Sequence, residues 1–119
     1  HAEAYEGGEL KHGPLALIED KVPVVCICPN DRFRKKMIGN IEEVKARGAF
    51  TIVFGERSDE ELKELADIFY GLPELEESQE LYSPLYYIIP LQLLAYYTAV
   101  KLGRDPDKPR NLAKSVTVE

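Results

Sequence analysis

Few residues in this 119-residue chain could do covalent or proton-transfer chemistry. Lys114 follows Leu112 and Ala113, and Val116 and Val118 alternate after it. An amine held beside apolar groups loses its proton more easily, and then serves as nucleophile or base. The same residue reads equally as a solvated tail lysine. His12 lies between Lys11 and Gly13-Pro14, in a loop setting that leaves an imidazole free to reach a ligand. Its ordinary titration range suits proton transfer near neutrality. Glu3 and Glu9 are carboxylates a short way before it in sequence. Either could orient the ring, or both could be surface groups. Cys26 and Cys28, two apart in an extended run, point the same way and cannot easily bridge each other. No further cysteine or nearby histidine completes a metal site, so they read as reduced core residues.

These groups need a scaffold. Residues 1–19 form a loop-rich lead-in, broken by Gly7, Gly8 and Gly13-Pro14, with Pro14–Ile18 as a short helical turn or apolar strap. Val22–Cys28 is a continuous apolar run, the pattern of a parallel strand buried on both faces. Asn30 or Asp31 offers an N-cap, and Phe33, Met37, Ile41 and Val44 follow at helical spacing, so 31–47 reads as an amphipathic helix ended by Gly48. Phe50–Phe54 is a second strand, which makes a βαβ unit with a right-handed crossover. Ser58 and Glu61 suggest a capping box for a helix over 59–65. Residues 67–70 read as a third strand and Glu74–Glu80 as a solvated acidic loop. Ser83-Pro84 starts a last helix that runs to about Leu102, with Pro90 expected to kink it and Gly103 to end it. Tyrosines on that helix read as core or interface residues. The fold class is α/β: part of a doubly wound parallel sheet flanked by helices, with an extended C-terminal tail.

Composition narrows the function classes. The chain is 45% apolar and 30% charged, ordinary for one globular domain. A net charge of −6 argues against a nucleic-acid surface. Arg32, Arg34, Lys35 and Lys36 are the densest basic cluster and fit an exposed helix start. No apolar stretch is long enough to span a bilayer and no signal peptide is visible, which points to the cytoplasm.

The runs HAEAYEGGELKHGPLALIE, PLQLLAYYTAVKLGRDPDKPRNLAKSVTVE and, within the latter, PRNLAKSVTVE resemble signatures of the glutamine–fructose-6-phosphate aminotransferase (isomerising) family. The resemblance implies that residues 1–119 are the C-terminal portion of a sugar-isomerase (SIS) domain, with 104–119 as the active-site tail. It implies that His12, in the ELKHGP motif, helps open the ring of fructose-6-phosphate, acting across a homodimer. Lys114 in the tail then serves Schiff-base chemistry, and the backbone of Ala113 lines the sugar site. The substrate so implied is a hexose phosphate, with a glutaminase domain elsewhere in the parent protein and no metal or organic cofactor. The family's acid/base glutamate and its Ser/Thr-rich phosphate cradle match nothing here, so the chain alone is expected to be inactive; its few apolar parallel strands, too few for an independently stable sheet, make it prone to associate. A different SIS-fold phosphosugar isomerase or deglycase, or a non-catalytic phosphosugar-binding module, remains open.

Overall fold

A computed structural model of the chain describes residues 1–109. The chain divides into two units, His1–Ser83 and Pro84–Glu119. In the first unit a 3₁₀ helix over Gly7–His12 and another over Pro14–Leu17 precede the sheet. Then come β1 (Pro23–Cys28), α1 (Arg34–Lys45), β2 (Phe50–Glu56), α2 (Glu60–Leu65) and β3 (Ile68–Leu72). The strands are parallel in the order β1-β2-β3, with Cys26 opposite Val53 and Val53 opposite Phe69.

Two right-handed crossovers stepping the same way along a sheet place both helices on one face. The core agrees: Cys26, Cys28 and Val53 pack with Ile38 and Ile41 of α1 and Leu62 of α2. The alternate residues fall on the other face. There Val25 and Ile27 of β1 and Ile68 and Tyr70 of β3 stay exposed. The apolar run of β1 is therefore buried on one face, not on both as its sequence suggests. Its second set of side chains has no crossover helix of this unit to meet.

Helix ends follow local chemistry. The Asp31 side chain accepts from the Phe33 N–H at 2.7 Å, capping the turn that leads into α1. Gly48 ends that helix with φ 90°, a backbone region costly for any side chain. There the Ala49 N–H reaches the Val44 carbonyl and the Gly48 N–H reaches that of Lys45, the paired bonds of a Schellman ending. For α2 the expected Ser58–Glu61 box is replaced by Asp59, whose carboxylate accepts from the Leu62 N–H at 3.0 Å. The segment expected to be an acidic loop becomes a 3₁₀ helix over Glu77–Tyr82, with a capping box between Glu76 and Gln79.

The second unit contains the last helix, α3, which begins at the final residue of the first unit (Ser83–Lys101). Ser83 has helical backbone angles, so it continues the preceding 3₁₀ turn instead of capping α3. The helix carries Pro90 within it, and Tyr96 meets Tyr97 edge to face at 5.3 Å. At its end the Arg104 N–H reaches the Ala99 carbonyl and the Gly103 N–H that of Val100, so Gly103 is the stop its sequence predicts. Among the described residues, no helix is long and apolar enough to cross a membrane.

Candidate functional site

His12 is the last residue of the first 3₁₀ helix and is exposed. Gly13, with φ 146°, follows it and turns the chain into the second 3₁₀ helix. Among the described residues the imidazole has no hydrogen-bond partner. Neither carboxylate expected beside it orients it. Glu3 is taken up locally: its carboxylate meets His1 Nε2 at 3.1 Å and accepts from the Tyr5 hydroxyl. That hydrogen bond raises the Tyr5 pKa above the ordinary phenol value. Glu9 sits in the first turn of the same 3₁₀ helix and makes no bond to His12. Lys114 and Ala113, with the tail beyond residue 109, lie outside the described residues.

Parallel α/β sheets collect ligands at the carboxyl ends of their strands. In the first unit that edge holds a cavity of about 170 Å³. Its walls include Asn30 and Asp31 after β1, Glu56 at the end of β2, and Glu76, Glu77 and Glu80. Glu56 is buried and accepts from the Leu75 N–H at 3.4 Å. Five carboxylates around so small a space repel a phosphate. This cavity is therefore no phosphate cradle, in keeping with the scarcity of Ser and Thr along the chain.

An ion-pair clamp stands at the start of α1. Arg34 Nε meets Asp59 Oδ2 at 2.7 Å and its Nη2 meets Asp59 Oδ1 at 2.8 Å, while Glu61 Oε2 takes a further bond at 2.7 Å. The hydrogen bonds from Arg34 hold the Asp59 carboxyl below the ordinary carboxylate range, and those same bonds raise the guanidinium pKa. The basic cluster was expected to be wholly surface, but Arg34 departs from it: its side chain is only 22% exposed. The residues that pair with it lie 25 and 27 positions away, and only the fold brings them together. Arg32 instead lies over the exposed Phe33 ring at 4.6 Å.

At the opposite edge of the sheet, Asp67 Oδ2 accepts from the N–H and the hydroxyl of buried Thr51 at 2.8 and 2.7 Å. These bonds lower the Asp67 pKa. Cys26 and Cys28 face the core together as free thiols, and burial pushes them up to about 11 and about 12. Thiols that protonated are poor nucleophiles at neutral pH. Among the described residues, no three His, Cys, Asp or Glu side chains are grouped so as to hold a metal ion. Sequence reasoning missed Glu56 and the Arg34–Asp59–Glu61 clamp. The only signal was a glutamate closing an otherwise apolar strand.

The SIS domain family matches residues 1–102. Over all 119 residues the chain is 59% identical to the glutamine–fructose-6-phosphate aminotransferase (isomerizing) of Thermococcus kodakarensis, covering 19% of that protein. It is 50% identical over 119 residues to the protein of the same name from Aquifex aeolicus, covering 20% of it. Among solved structures, the C-terminal domain of glucosamine-fructose-6-phosphate aminotransferase from Francisella tularensis superposes with a TM-score of 0.76. It is 40% identical, and the match covers 88% of this chain and 29% of that one. The chain thus spans about a fifth of the length of the curated relatives it matches.

Proposed function

Because the chain belongs to the SIS domain family, we propose that it is the C-terminal part of the isomerase domain of an enzyme making glucosamine-6-phosphate from fructose-6-phosphate and glutamine. The observation that carries this reading is where the two kinds of match end. The SIS match stops at residue 102, whereas the aminotransferase relatives align across all 119 residues, tail included. A general SIS-fold isomerase or a phosphosugar sensor need not share residues 103–119. The extended match favours the aminotransferase over both.

In this reading residues 104–119 are the active-site tail. His12 moves a proton at the ring oxygen as the closed sugar opens. The Lys114 amine then attacks the ketose carbonyl, forms the C–N bond of an imine and releases water. The backbone of Ala113 lines the sugar site. The exposed imidazole of His12, at the end of a 3₁₀ helix, is free to meet a ligand, and in this reading it reaches the neighbouring subunit's site of a homodimer. Ammonia comes from a glutaminase domain in the parent protein, and the enzyme works in the cytoplasm. No metal or organic cofactor enters the scheme.

The test is Lys114→Arg in a full-length enzyme carrying this chain. Arginine keeps the charge but cannot form the imine. Synthesis from fructose-6-phosphate should be lost. Near-normal synthesis would remove the Schiff-base role.

A further inference from the structure

The 3₁₀ helix that carries His12 has little of its own to hold it. It buries no residue and has no side-chain cap. Six residues of 3₁₀ helix are already a long run for that conformation. Its position has to come from a neighbour, and α1 supplies two points of attachment. At the start, a Cβ on Gly7 would lie 2.5 Å from Asn40 Nδ2 and 3.0 Å from Met37 Sδ, so the backbone there rests against the helix. At the end, Lys11 Nζ lies 3.6 Å from Glu43 Oε2.

These points share one side of α1. Met37, Asn40 and Glu43 are three apart and form one stripe of α1. The 3₁₀ helix thus lies against α1 at both of its ends, and the second attachment falls one residue before His12. Between them and the start of α1 lies a groove of about 820 Å³ that Lys11, Phe33 and Met37 help to line.

We propose that Glu43 is a positioning residue for His12: by holding Lys11, it fixes where the last turn of the 3₁₀ helix presents the imidazole. The inference rests on the proton-transfer role given to His12 above. Glu43 is well placed to hold still itself. It is on a core helix, and its other oxygen meets Arg47 Nη2 at 3.6 Å. The Lys11 side chain is 58% exposed, so the pair is solvent-screened and its effect is modest.

The experiment uses the full-length enzyme and closed-ring fructose-6-phosphate. Glu43→Gln and Lys11→Gln should each lower kcat by about two- to five-fold, the range of an exposed ion pair. KM and melting temperature should stay unchanged. The double variant should be no slower than either single one, because both remove one interaction. Additive losses, a loss carried in KM or in melting temperature, or an unaffected kcat in Glu43→Gln would each overturn the inference. His12→Ala separates the two levels. If it leaves turnover intact, the role of His12 itself is wrong. If it abolishes turnover while Glu43→Gln does nothing, only the positioning role is wrong.

Discussion

Asp59→Ala removes two unlike interactions at once, and Asp59→Asn removes one. Asp59 caps α2 through the Leu62 N–H and grips Arg34 with both oxygens. Losing a helix N-cap costs about 1 kcal/mol. Losing charged hydrogen bonds costs about 1.5–3 kcal/mol. The Asp59 side chain is only 9% exposed, which argues for the upper part of that range, whereas the surviving Arg34–Glu61 contact softens the loss. Asp59→Ala should therefore cost about 3 kcal/mol, and Asp59→Asn, which keeps an oxygen for the cap, about 2 kcal/mol. Acidity gives a second axis. The carboxyl of Asp59 is held below its ordinary value, so its stabilising effect is complete above the unfolded pKa of about 3.9 and fades as pH falls through the lower folded one. Urea denaturation of the protein carrying the chain, at neutral pH and stepwise into acid, reads both. The gap between parent and Asp59→Asn should close in acid. Equal costs for Ala and Asn, or a gap that does not narrow as the pH is lowered, would refute the reasoning.

Two further outcomes follow from the same structure. Cys26 and Cys28, with pKa values near 11 and 12, should resist alkylation at neutral pH until the domain unfolds, whereas rapid labelling of the native protein would mean that the sheet face under α1 opens readily. The chain on its own should associate in solution, because Val25, Ile27, Ile68 and Tyr70 stay exposed on one face of a three-stranded sheet, and under the proposed function it should show no turnover, because the family's acid/base glutamate and phosphate cradle match nothing in it. A stable monomer by light scattering at tens of micromolar would contradict the first half, and measurable isomerisation the second.

Much of this fold is legible in the chain. The apolar runs at 22–28 and 50–54, the spacing of Phe33, Met37, Ile41 and Val44, and the glycines at 48 and 103 mark the elements, because each reports a purely local constraint. What escaped depends on distance along the chain. Arg34 looks like one more surface cation until α2 brings Asp59 against it. Thr51 and Asp67 are 16 residues apart, and only strand pairing makes them partners. The burial of β1 on one face follows from where both crossover helices land, and composition cannot register that. At the candidate site, His12 and Lys114 stood out by type and motif. Glu43 could not, since its relation to His12 exists only through the packing of the 3₁₀ helix on α1.

The measurement that bears most directly on the account is reductive trapping at Lys114. A ketose imine on a lysine is reduced by borohydride to a stable secondary amine, which peptide mass spectrometry locates. With the full-length enzyme and fructose-6-phosphate, the adduct should appear on Lys114, and Lys114→Arg should give none. Continued glucosamine-6-phosphate synthesis with no adduct on Lys114, or an adduct of equal yield on another lysine, would contradict it.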